Sequence, residues 1–204
     1  MLVGITGGIG SGKSTIVQAL AARGYAVYDC DREAKRIIVE NAEVRKAIIA
    51  LLGTEAFEPS PQHPFTGSYN TSYVSQRVFA EPELLQQLNA IVHPAVKEEI
   101  RVQSSEFSVL FVESAILFEA GIDSLCDRIV VVDAPEEVRL ARTIARDYHG
   151  DATEEHINKV RARMRAQQFR PTEEQKATKK VLTIINDGRT SISDLANEII
   201  QFIS

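Results

Sequence analysis

The feature that most constrains this chain is Gly7-Gly8-Ile9-Gly10-Ser11-Gly12-Lys13-Ser14-Thr15, which follows the short apolar run Met1-Leu2-Val3-Gly4-Ile5 and Thr6. A glycine, four residues, then Gly-Lys-Ser is the signature of a phosphate-binding loop set between a strand and a helix. Glycines let the backbone turn until successive N–H groups face inward as an anion nest, and a helix opening near Lys13 adds the positive end of its dipole. Such a loop holds polyphosphate, here through Gly8, Ile9, Gly10, Ser11, Gly12, Lys13, Ser14 and Thr15. Lys13 would act as a point charge on the outer phosphates, and the Ser14 hydroxyl would complete the shell of a magnesium ion. An incidental Gly-rich turn is disfavoured because strand, loop and helix stand in the order the chemistry needs.

Length and charge narrow the remaining classes. With 204 residues the chain has room for one α/β domain carrying a small inserted region. A formal charge of −5 argues against a generic nucleic-acid or membrane-surface binder. No apolar run approaches the roughly 18 residues of a membrane span, and the N-terminus reads as a strand rather than a signal peptide. The expectation is a cytoplasmic protein, a monomer or small homo-oligomer, with no nucleic-acid or membrane partner. Cys30, Cys126 and the four histidines complete no metal motif or disulfide framework, and Cys30 reads as a packing residue.

Taken in order, Ile16, Val17, Leu20 and Ala21 recur at helical spacing up to Gly24. Tyr25-Ala26-Val27-Tyr28 reads as a second strand, delivering Asp29-Cys30-Asp31 to the carboxyl edge where open parallel sheets bind ligands. Residues 31 to 52 read as helix stopped by Gly53, and the Pro- and Gly-marked stretch from Thr54 to Asn70 as a surface loop. Helical patterns resume near Ser72, with Pro82 and Pro94 at positions suited to first turns. Val109 to Val112, Ile129 to Val132 and Val181 to Ile185 read as three further strands, and Thr172 to Gln175 has the form of a capping box. Five strands separated by helical segments predict an α/β fold, a five-stranded parallel sheet with helices on both faces, served by the phosphate loop. The anticipated layout is a single domain, residues 1–204. Its core is about 1–30, 105–135 and 178–204, with a helical substrate-binding region about 31–104 and an Arg-rich lid about 136–170.

Phosphoryl transfer needs an aligned acceptor, a proton acceptor and cations spread over the transferring group. Asp31, after the second strand, is the better placed base, and Asp29 is its rival; one of the two could instead cap the following helix. Glu113 ends the third strand, either as a carboxylate near magnesium or as an internally paired acid. Seven of the fifteen arginines fall between 139 and 170, and Arg139, Arg142 and Arg146 share a helical face. Arg142 and Arg146 read as cations of a lid over ATP; Arg139 and the others read as members of solvated ion pairs. His93, before Pro94, either ends a helix or contacts substrate, and Asn186 either forms a turn or touches a base.

Together these strings resemble the dephospho-coenzyme A kinase family. The loop from Thr6 to Ser14, Asp29-Cys30-Asp31, Leu88-Asn89-Ala90-Ile91-Val92-His93-Pro94 and Leu117-Phe118-Glu119 match its segments in order. Ile129 to Asp133, Arg142, Arg146-Asp147 and Ile184 to Gly188 extend the match. The resemblance implies transfer of the ATP γ-phosphate to the ribose 3′-hydroxyl of dephospho-coenzyme A, with Asp31 as base. It also implies Thr6 and His93 near the acceptor and Arg142 over the phosphates. The chain departs from the family at Glu113, where aspartate is usual, at Lys35, where arginine is usual, and at Thr66 to Thr71, where a cation is missing. A kinase for another nucleotide or nucleoside, or a silent ATP-binding module, are the competing readings. A guanine-nucleotide switch is excluded by the lack of an Asn-Lys-x-Asp string.

Overall fold

The computed structural model describes residues 1–61 and 67–204. In chain order the elements are β1 (Leu2–Gly7), α1 (Lys13–Ala21), β2 (Ala26–Asp29), α2 (Cys30–Glu40), α3 (Ala42–Leu52), β3 (Phe57–Glu58), β4 (Ser68–Tyr69), α4 (Thr71–Ala80) and α5 (Pro82–Ser104). Then follow β5 (Leu110–Glu113), β6 (Arg128–Asp133), α6 (Glu136–Tyr148), α7 (Glu154–Ala166), α8 (Glu173–Thr178), β7 (Lys180–Ile185) and α9 (Ile192–Ile203). Two compact units result: one from Met1–Tyr28 with Gln103–Ser204, the other from Asp29–Val102.

The first unit is built on the sheet β2-β5-β1-β6-β7, and the pairings β1/β5, β1/β6 and β6/β7 are all parallel. Every residue of β1 is buried, as a central parallel strand covered on both faces requires. Ile16, Val17 and Leu20 of α1 and Leu195, Ala196, Ile199 and Ile203 of α9 close over Val3, Ile5, Phe111, Val130, Val132 and Ile184. The register sets Ile5 opposite Glu113 on one side of β1, and Gly7 opposite Val132 on the other. The carboxyl ends of β1, β5 and β6 therefore open at one edge, where the phosphate loop begins.

In the second unit the helix anticipated over 31 to 52 is two helices. The Asn41 side chain accepts from the Glu43 and Val44 N–H groups, 3.1 Å each, and so caps α3 while ending α2. The stretch anticipated as loop contains the antiparallel pair β3 and β4, Phe57 opposite Tyr69; Pro64 and Thr66 lie outside the described residues. Pro82 does open α5, but Pro94 lies inside it. A helix-interior proline costs roughly 3 kcal/mol because the ring removes an N–H and crowds the preceding turn. Leu88, Val92, Val96 and Ile100 carry one buried stripe through the site, and that packing holds the helix continuous. Arg36 gathers Glu33 (2.7 Å), Glu40 (3.0 Å) and Glu99 between α2 and α5.

Candidate active site

The loop between β1 and α1 takes the form its glycines anticipate. Ser11 N–H donates to the Gly8 carbonyl at 2.9 Å, and Gly10 and Gly12 have φ of 79° and 85°. Both angles lie in the left-handed region that side chains disfavour. A Cβ at Gly10 would also overlap the Arg139 carbonyl, and one at Gly12 the Asn186 amide. Gly12 caps α1 without a side chain, so the first N–H groups of that helix are offered to an anion rather than to a hydroxyl or carboxylate. Thr6 Oγ1 and Ser11 Oγ are buried without a hydrogen-bond partner among the described residues.

Lys13 and Ser14 turn toward the neighbouring strand end. Lys13 Nζ pairs with Glu113 Oε1, and the Ser14 hydroxyl donates to the same oxygen at 3.1 Å. The Lys13 and Glu113 side chains are only 12% and 11% exposed. Of the two readings the sequence left open, the structure shows the internally paired acid, whose pairing oxygen also accepts from the Ser14 hydroxyl.

On the far side of the loop, Asn186 Nδ2 donates to the Ser11 carbonyl at 2.8 Å, and Arg142 reaches that carbonyl at 3.3 Å and the Asn186 carbonyl at 2.9 Å. These two side chains, with Gly12, Thr15, Gly188 and Thr190, line a cleft of about 430 Å³. Arg146 lies apart from it: its side chain is 62% exposed and ion-paired to Asp147 at 2.7 Å. The shared helical face therefore brings Arg142 to the loop and leaves Arg146 in solvent.

Arg139 corrects the expectation of a solvated ion-pair residue. It is 6% exposed, lies beside Gly8, and stacks on the Phe169 ring at 5.2 Å. Its nearest carboxylate is Asp133, 3.9 Å away, which Arg170 also engages at 2.7 Å. The reason is its position one turn before Arg142: the same face that carries Arg142 to the cleft buries Arg139 under the loop. Gln167, which no motif marks, follows α7 and bonds the loop backbone at two points. Ile9 N–H donates to its Oε1 at 2.8 Å, and its Nε2 donates to the Gly7 and Ala115 carbonyls at 3.3 and 3.0 Å.

In the second unit, Asp29 takes the capping role. Its carboxylate accepts from the Asp31 and Arg32 N–H groups at 3.1 and 3.0 Å, and the exposed Asp31 occupies the first turn of α2. His93 is half-buried on α5; burial, and then the Lys97 charge, hold its imidazole below the usual histidine range, so it is neutral at pH 7. Lys35, Arg36, Val39, Ser68, Tyr69 and Thr71 line a cavity of about 320 Å³ in the same unit.

A central strand delivering a Gly-x-x-x-x-Gly-Lys-Ser loop to the open edge of a parallel sheet, with an Arg-bearing helix packed on that loop, defines a phosphate-loop kinase fold. A shikimate kinase structure from Acinetobacter baumannii shares it, with a TM-score of 0.53 at 19% identity over 99% of this chain and 92% of that one. A crystal structure from Thermus thermophilus matches with a TM-score of 0.74 at 32% identity over 98% of this chain and 96% of the other. The model of the dephospho-CoA kinase family matches residues 1–191. A Bacteroides fragilis dephospho-CoA kinase is 35% identical over 98% of this chain and 92% of its own length, and one from Chlorobaculum tepidum 38% identical over the same shares. The chain belongs to the dephospho-CoA kinase family and is a kinase of the final step of coenzyme A biosynthesis. That result does not favour the reading as a kinase for another nucleotide or nucleoside. No helix among the described residues is long and apolar enough to cross a membrane.

Proposed function

We propose that the chain transfers the γ-phosphate of ATP to the ribose 3′-hydroxyl of dephospho-coenzyme A, in the cytoplasm, as a monomer or small homo-oligomer. The observation that carries the nucleotide half is the side-chain-free cap of α1 with Lys13 and Ser14 turned onto one buried carboxylate. Residues 8–15 would cradle the phosphates, and the cleft bounded by Arg142 and Asn186 would take the base and ribose. The Ser14 hydroxyl and the Glu113 carboxylate are hard oxygen donors within 3.1 Å of each other, a pairing that suits magnesium. Among the described residues no cluster of three acidic, His or Cys side chains would hold a metal alone, which suits an ion that arrives on ATP phosphates. When bound, magnesium would neutralise charge on those oxygens.

The acceptor half falls to residues about 31–104. Asp31, exposed on the first turn of α2 with its N–H held by the Asp29 cap, would orient and deprotonate the acceptor hydroxyl. Neutral His93 would hold the acceptor by a hydrogen bond, with Thr6 and Glu113 as further contacts. Residues about 136–170 would form the lid, Arg142 and Arg146 supplying its charge, over a core of about 1–30, 105–135 and 178–204. A coupled assay comparing dephospho-coenzyme A with adenosine, AMP and uridine tests the reading. ATP-dependent turnover of dephospho-coenzyme A alone is the expected result. Turnover of another acceptor, or ATP binding with no transfer, refutes it.

A further inference from the structure

We propose that Gln167 is a positioning residue of the phosphate loop, holding Gly7 and Ile9 at the spacing that the nucleotide requires. A primary amide has one good acceptor and two N–H donors. All three are engaged: Oε1 by Ile9 N–H, and Nε2 by the Gly7 and Ala115 carbonyls. Two of these partners sit on either side of Gly8 at the point where β1 turns into the loop. The third follows β5, the strand that carries Glu113. A single side chain thus pins the base of the loop to the strand end that holds the carboxylate facing Lys13.

The attachment point is itself fixed. Gln167 directly follows α7, the Gln168 N–H donates to Glu119 at 3.1 Å, and Arg170 is paired to Asp133. The Ile9 side chain, in turn, packs on the cluster of Leu140, Val160 and Met164 shared by α6 and α7. Ile9 is therefore held twice by the same hairpin, through its side chain and through its N–H. Loop N–H groups bind phosphate only when several point inward at once, so a small rotation about Gly7 to Ile9 would misdirect those that follow. Glutamate has the same shape and can still accept from Ile9 N–H, but it has no donor and would set its second oxygen against two carbonyls. Methionine keeps the length and loses all three bonds.

This inference rests on the loop being the ATP site, and the experiment separates the two. The unsubstituted chain is first assayed for ATP binding with a fluorescent ATP analogue and for turnover of dephospho-coenzyme A; failure there removes the functional reading itself. With that in hand, Gln167→Glu is expected to raise the KM for ATP about 30-fold, from two lost hydrogen bonds plus the repulsion between its second oxygen and two carbonyls, and Gln167→Met about tenfold, from the loss of three part-buried hydrogen bonds without that repulsion. The KM for dephospho-coenzyme A should stay within about twofold, and analogue binding should weaken in parallel with the KM for ATP. If Gln167→Glu does not fold, Gln167→Met decides. An unchanged KM for ATP, with or without a lower melting temperature, or equal loss for both substrates, overturns the proposal.

Discussion

Replacing Glu113 by glutamine is expected to destabilise the free protein far more than its ATP complex. In the free chain Lys13 and Glu113 are nearly buried, and the carboxylate is the ammonium's ion-pair partner. Removing one member of a buried pair costs roughly 3–5 kcal/mol, because the other charge is left without compensation. Glutamine keeps one oxygen in reach of Lys13 and Ser14, which returns part of that loss and leaves about 2 kcal/mol. For a chain of this size each kcal/mol moves the melting temperature by about 2–4 °C, so the free Glu113→Gln variant should melt about 4–8 °C lower. Binding of ATP supplies phosphate as the new partner of Lys13, and the deficit should shrink to roughly 1–2 °C at saturating ATP. Metal-free ATP should also bind the variant more tightly than it binds the parent, since no carboxylate has to be displaced from Lys13. Differential scanning calorimetry with and without ATP reads the first effect, and titration in EDTA the second. A deficit of the same size in both states would refute the reasoning that Lys13 exchanges Glu113 for a phosphate when ATP binds.

Asp31→Asn should lower kcat by about 10²-fold or more with ATP binding retained, as loss of a general base requires; unchanged kcat in a steady-state assay would end that assignment. Arg142→Ala should reduce transfer by about 10²-fold, while the melting temperature falls little, because its hydrogen bonds to two carbonyls are only part-buried. An effect on melting alone would make it a structural residue. Arg36 holds Glu33 below the usual glutamate range. A depressed folded-state value contributes stability above about pH 4.5 that is lost as pH falls through the folded value. The urea midpoints of the parent and Glu33→Gln should therefore differ at pH 7 and converge as the solution is acidified below about pH 4.5. A gap that does not close on acidification would exclude that linkage.

Much of the fold is legible residue by residue. The five strands are short apolar runs bounded by turn residues, and the phosphate loop, the Thr172 capping box and the Gly53 stop are each contained within a few positions. The misreadings share one cause. Pro94 looks like a helix start because only the buried stripe from Leu88 to Ile100 shows that α5 passes through it. Asn41 looks like an interior polar residue until its side-chain oxygen is seen to cap α3. The strands β3 and β4 have two residues each, too few for any alternation to register.

For the site, the division is sharper. The sequence by itself determined the glycine-rich loop between β1 and α1 and the strand ends where acids and arginines gather, because these depend on spacing along a short stretch of backbone. Tertiary structure decided which of those groups meet. Glu113 reaches Lys13 because the β1/β5 register sets it opposite Ile5. Arg142 reaches Ser11 while Arg146 does not, and Arg139 is buried beside Gly8. Gln167 lies 160 residues from the Gly7 carbonyl it bonds. Such contacts follow from how strands align and helices pack across the whole chain, and no local pattern encodes that alignment.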